Sequence, residues 1–214
     1  MIRKMGKIST GSESLDCLFK YDSSLLTMVY GEAATGKTTL ALLATIALAR
    51  EKKRVIFIDT ENGFSVERLK QLAPDYESFI SYIVHIHPTS LAEQERIVNS
   101  LPEKTTKIII IDTIGFFYRV EVKQDPYKAN KCLDNQLKRL YDLTKKGTFV
   151  FLTNQVYATM DGKVNAVGGD MVKNWSKYMI CLFKNPRKLK VEKPFTLELV
   201  FEIQGKGILV KEAG

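Results

Sequence analysis

Apolar positions along the chain switch between a helical period and short unbroken runs. Leu25 to Tyr30 is such a run and leads into a glycine-bounded loop. Thr38 to Arg50 is apolar almost all round, which predicts a buried helix. Val55 to Ile58 is short and continuously apolar, as expected of a strand covered on both faces. Val66 to Leu72 predicts a short helix stopped near Pro74, and the β-branched stretch Phe79 to Ile86 predicts a strand closed by Pro88. Ser90 then stands as the N-cap of a helix reaching Leu101, with Glu93 three residues on as a capping box. Lys107 and the isoleucines through Ile111 form the least ambiguous buried strand, which ends at Asp112. Asp125 and Pro126 open a long amphipathic helix that Gly147 closes, with an acidic cap, an N1 proline and a C-terminal glycine. Thr148 to Thr153 predicts the next strand. A polar loop follows from Ala158 to Gly169, and Lys177–Phe183 and Phe195–Ile203 predict an antiparallel pair.

Strands alternating with helices over residues 25–153 predict an α/β fold with a mostly parallel sheet flanked by helices, and the tail predicts an antiparallel extension. At 214 residues, with no repeat or long linker, one domain over residues 1–214 is expected. Hydrophobic residues at 45% and charged residues at 26% exclude a disordered or collagen-like chain. The longest apolar helical run, Leu40 to Ala49, is too short to cross a bilayer. The basic N-terminus has no apolar core after it, so no secretory signal is expected. Cys17, Cys132 and Cys181 are odd in number and form no CxxC pair, which argues against structural zinc or disulfides and for a reducing cytoplasm.

Charge changes the picture at the C-terminal end. The net charge is +8, and residues 161–214 hold 10 basic and 6 acidic side chains, half of that excess in a quarter of the chain. The stretch from Lys184 to Lys193 sets Lys184, Arg187, Lys188, Lys190 and Lys193 against Glu192. Such a patch suits a polyanion such as DNA, and it equally suits a solvated turn between two strands. Because the turn after Phe183 lies outside the phosphate-loop motif, Gly31 to Thr38, nucleotide affinity is expected to depend little on it.

The firmest chemistry lies in Gly31-Glu32-Ala33-Ala34-Thr35-Gly36-Lys37-Thr38, which matches G-x-x-x-x-G-K-[ST] between a strand and a helix. The glycines let backbone N–H groups converge on phosphate oxygens, and the following helix points its positive end at the same anion. Residues Gly31 to Thr39 are therefore expected to hold a nucleotide, with Lys37 on the β- and γ-phosphates and Thr38 ligating Mg²⁺. Asp112, at the carboxyl end of a buried strand, is placed to help hold that Mg²⁺. Asp59 and Glu61 follow another buried strand, and Glu61 is positioned to orient or deprotonate an attacking water. Asn154 and Gln155 put two amides at the end of a further strand. On spacing alone they read as loop amides. His85 and His87 share one side of a strand without a third ligand, so packing or exposure is the better reading. Trp175 reads as core, and Phe116, Phe117 and Tyr118 stay open between a nucleic-acid loop and packing.

With these residues in place, the chain resembles the RecA-family recombinases, and within them most closely the archaeal RadB group, paralogues of RadA without its N-terminal helical domain. Ile8–Asp16 is similar to the family's opening segment. Val55-Ile-Phe-Ile-Asp-Thr-Glu61 looks like its second strand with the catalytic glutamate. Phe64–Arg68 is similar to its F-x-P-E-R segment with Val66 in place of proline, and Ile108–Asp112 looks like its Walker B strand. Thr153–Val156 is similar to the switch strand, Val167–Gly169 to the end of the second DNA-binding loop, and Gly205–Ile208 to the closing turn. The resemblance implies a RecA-like ATPase core, ATP and Mg²⁺ as ligands, Glu61, Lys37 and Gln155 as catalytic residues with Gln155 sensing the γ-phosphate, and DNA contact by Lys184, Arg187, Lys188 and Lys190. Few residues precede the core, so the helix-hairpin-helix domain and polymerisation linker are expected to be absent. The expected role is an ATP-binding repair and recombination protein that hydrolyses ATP slowly and assists a main recombinase, with oligomeric contacts able to complete the site. A non-catalytic ATP-switched module and a P-loop kinase stand as alternatives. The chain's eight arginines, none clustered in sequence, speak against an arginine-bearing kinase lid.

Overall fold

The computed structural model describes residues 6–103, 108–158 and 164–211. Lys107, at the start of one predicted strand, and residues 159–163 of the predicted polar loop lie outside them. Among the described residues a nine-stranded sheet runs in the spatial order Gly207–Val210, Leu197–Gln204, Lys188–Lys193, Tyr178–Phe183, Thr27–Gly31, Phe149–Asn154, Ile108–Asp112, Val55–Asp59 and Ile83–Ile86. Pairing is parallel from Tyr178–Phe183 through to Ile83–Ile86 and antiparallel among the last strands of the chain.

The unbroken apolar runs arise because both faces of the central sheet are covered. Successive side chains on a strand point to opposite faces. Ile108 and Ile110 therefore enter one core with Phe57, Phe149 and Phe151, beneath the buried helix Lys37–Arg50. Ile109 and Ile111 enter the other with Ile58, Val150 and Leu152, beneath Leu91–Ser100 and Pro126–Lys145. The predicted caps form: Ser90 and Asp125 each accept a backbone N–H from three residues on, and Ser65, not anticipated, caps Val66–Leu72 in the same way. The Glu93 carboxylate reaches one residue further back than a capping box requires, to the N–H of Thr89 at 2.8 Å. The opening segment docks on the far end of the chain, where Ser12 Oγ donates to the Ile208 carbonyl at 2.8 Å.

Three elements differ from expectation. The strand predicted over Phe79–Ile86 begins only at Ile83, after the 3-10 turns Tyr76–Ser78 and Ile80–Tyr82. Phe79 turns into the core instead, beneath the Arg50 guanidinium. The predicted pair Lys177–Phe183 and Phe195–Ile203 is separated by the strand Lys188–Lys193. Leu189 and Val191 of that strand are fully buried while Lys188 and Lys190 face outward, so its lysines mask a half-buried period of two. The segment read as loop from Ala158 to Gly169 holds the strand Val164–Ala166, which pairs antiparallel with Val156–Ala158 just before it, and the helix Gly169–Trp175 begins at its far end. Trp175 packs as expected, its indole N–H donating to Asp134 at 2.8 Å.

Candidate nucleotide site

The phosphate loop joins Thr27–Gly31 to Lys37–Arg50, at the carboxyl end of the parallel strands where α/β sheets bind ligands. Gly36, the helix N-cap, has φ 108°, a left-handed angle that glycine adopts at little cost. Its bare Cα also lets the loop meet Ile203, whose Cδ1 would lie 2.8 Å from an added Cβ. Ala34 takes φ 62°, uncommon for a residue with a side chain. Around the loop lies a cavity of about 430 Å³, bordered also by Glu61, Thr113, Arg119 and Gln155.

Lys37 is buried, and its Nζ donates to the carbonyls of Gly31 at 2.9 Å and Glu32 at 2.7 Å. Burial pushes its pKa down, and the Glu61, Asp112 and Glu32 carboxylates oppose that shift. Asp112 is 1% exposed. Burial raises its pKa, the Thr153 and Thr38 hydroxyls hold it back, and Glu61 and Asp59 add to the rise. Asp112 Oδ1 accepts from Thr153 Oγ1, whereas the buried Oδ2 has no hydrogen-bond partner among the described residues. A Cβ added to Gly63 would lie 3.6 Å from that oxygen and 3.7 Å from Thr38 Oγ1, so both oxygens border one small space. An orphaned carboxylate oxygen next to a hydroxyl is the donor set a hard divalent cation takes. A cation there would favour the charged carboxylate that burial alone disfavours. The residues present thus fit Mg²⁺ bound with a nucleotide.

Glu61, on the loop after Val55–Asp59, accepts at Oε1 from Thr113 Oγ1 and from Gln155 Nε2, both at 2.7 Å. Gln155 Oε1 in turn accepts from Arg119 Nη1 at 2.5 Å. Asn154 does not join this group. It is buried on the opposite side of the strand end, donating to the Val167 carbonyl at 2.7 Å, because neighbours on a strand diverge. Asp59 is also structural: it is fully buried and accepts the backbone N–H groups of Gly63 and Phe64, with His85 at 3.2 Å. His87 meets the Asp59 carbonyl at 2.7 Å, and no metal-binding group of three or more His, Cys, Asp or Glu exists among the described residues.

The basic stretch lies nearer the phosphate loop than its sequence distance suggested. Arg187 Nη1 donates to the Ala34 carbonyl at 2.8 Å, tying the turn before Lys188–Lys193 to the loop's left-handed residue. The turn thus touches the phosphate loop directly, which argues against the expectation that nucleotide affinity depends little on it. Replacing Arg187 with alanine should weaken ATP binding about 2- to 10-fold, the net worth of one such hydrogen bond. Calorimetric titration checks this, and an unchanged affinity shows that the loop holds its shape without Arg187. Lys188 pairs with Glu198 at 2.9 Å, while Lys184 is exposed. Thr113 and Arg119, with no motif to mark them, went unread in the sequence. Only their place after the Asp112 strand pointed toward the site.

The model of the family described as Rad51 matches residues 2–193. The DNA repair and recombination protein RadB of Methanocaldococcus jannaschii is 33% identical over 171 residues, which cover 76% of this chain and 80% of that protein. Its namesake in Methanosphaera stadtmanae is 31% identical over 179 residues, covering 79% and 77%. A crystal structure of the RadB recombinase superposes with a TM-score of 0.77 at 32% identity, covering 94% of this chain and 98% of that one. Sequence and fold agree on the family: the chain belongs to the Rad51 family.

Proposed function

We propose that this protein binds Mg²⁺–ATP, hydrolyses it slowly, binds DNA, and serves repair and recombination in the cytoplasm as an accessory to a main recombinase. The observation that carries the reading is the convergence of Lys37, Thr38, Glu61 and Gln155 on one cavity, with the orphaned Asp112 Oδ2 and the Thr38 hydroxyl bordering one small space beside Gly63. Relatives named for DNA repair and recombination support the biological setting. No helix among the described residues is long and apolar enough to cross a membrane.

In this mechanism the loop amides and Lys37 take the β- and γ-phosphates, and Lys37 exchanges its contacts with Gly31 and Glu32 for phosphate oxygens. Thr38 and Asp112 would hold Mg²⁺, which would supply charge neutralisation on the phosphates. Glu61 orients water and takes its proton. Both donors to this carboxylate among the described residues bond to Oε1, which leaves Oε2 for that proton. Gln155, neutral and able both to donate and to accept, reports the γ-phosphate to the strand Phe149–Asn154 that it follows. Phosphate release measured with and without DNA tests the scheme. Steady release supports it. ATP binding without release selects a switched binding module, and phosphate appearing on an acceptor selects a kinase.

For DNA we assign Lys184, Lys188 and Lys190, together with Arg187, as the contact surface. Since Arg187 also holds Ala34, the cleanest test spares it. Replacing Lys184, Lys188 and Lys190 with alanine should make the slope of log affinity against log salt shallower by about 2, at roughly 0.7 per phosphate on single strands. Parallel slopes for variant and parent would place the DNA contacts elsewhere, the segment from Ala158 to Lys173 being the first alternative.

A further inference from the structure

We propose that Arg119 is a positioning residue for hydrolysis, acting through Gln155 on Glu61; the inference rests on the ATPase reading above and deepens it. Three side chains form a chain of bonds: Arg119 Nη1 to Gln155 Oε1 at 2.5 Å, then Gln155 Nε2 to Glu61 Oε1 at 2.7 Å. A guanidinium can only donate and an ionised carboxylate can only accept. The carboxamide between them is the neutral group that meets both demands, and it does so in one orientation only. Arg119 therefore decides which way the Gln155 amide faces, and with it which group holds Glu61.

The source of this constraint lies outside the phosphate loop. Arg119 belongs to the short helix Tyr118–Glu121, which follows the Asp112 strand and is anchored at both ends of its first turn. The Arg119 N–H bonds to the Gly115 carbonyl at 3.0 Å, and Tyr118 Oη donates to Asn130 on the long helix at 2.7 Å. Gly115 is held against the end of the Gln155 strand. A Cβ there would lie 2.5 Å from Asn154 Oδ1, so only glycine permits the approach that brings Arg119 within reach. The guanidinium also lies over the Phe116 ring, 5.8 Å from its centre, which limits the directions it can take.

The test compares the parent with Arg119→Ala, Arg119→Lys, Gln155→Ala and the double variant Arg119→Ala/Gln155→Ala. ATP affinity is read by calorimetry with Mg²⁺, kcat by phosphate release, and folding by circular dichroism. Arg119→Ala should lower kcat about 10- to 100-fold, the effect of a small misplacement at a reacting centre, with ATP affinity within about 2-fold of the parent. Arg119→Lys should recover part of the loss, since an ammonium still donates to Oε1. The double variant should be no slower than Gln155→Ala, because residues acting in one chain are not additive. A kcat equal to the parent's overturns the proposal. So does a fall in ATP affinity at constant kcat, which would put Arg119 on the phosphate itself, and so do losses that multiply in the double variant. A parent that binds ATP yet releases no phosphate overturns the ATPase reading and this role together. A parent that turns over beside an equally fast Arg119→Ala variant overturns this role alone.

Discussion

Replacing Lys37 with alanine is expected to weaken ATP binding by at least about 100-fold while the fold survives. An ammonium bonded to two phosphates makes charge-assisted hydrogen bonds worth about 1.5–3 kcal/mol each, which sums to roughly two to four powers of ten in affinity. The fold should tolerate the change for local reasons. Lys37 opens its helix, where a positive charge opposes the macrodipole and alanine is the better helix former. The carbonyls of Gly31 and Glu32 lose a donor, and Glu32 lies at the surface where water can replace it. Calorimetry together with circular dichroism checks both halves. A folded variant with the parent's affinity would remove Lys37 from the phosphate site.

Glu61→Gln should leave ATP binding nearly unchanged and lower turnover about 10²- to 10⁴-fold, the contribution of a well-placed general base. The substitution is suited to the site. A glutamine at position 61 keeps an oxygen that can accept from Thr113 and Gln155, so the geometry around it persists while the proton acceptor is lost. Phosphate release at saturating ATP is the measurement. Undiminished turnover would make Glu61 a surface acid and put activation of water elsewhere.

The sequence by itself determined the parts whose signal is local. The Gly31–Thr38 motif needs only a strand before it and a helix after it, and both are written in the adjacent apolar runs. The isoleucines before Asp112 announce a strand buried on both faces, because a sheet covered on one face only would show alternation. The caps at Ser90 and Asp125 read correctly for the same reason, since each bond spans three residues. Tertiary structure alone decided what depends on residues far apart in the chain. The strand Lys188–Lys193 looked like a charged turn, because its apolar half consists of just Leu189 and Val191 and its partners lie on either side. Arg187 meets Ala34 across 153 positions, Gln155 meets Glu61 across 94, and Arg119 meets Gln155 across 36. No period or motif encodes such contacts. They exist because parallel strands bring their carboxyl ends to one edge of the sheet, where loops distant in sequence converge on the same few ångströms.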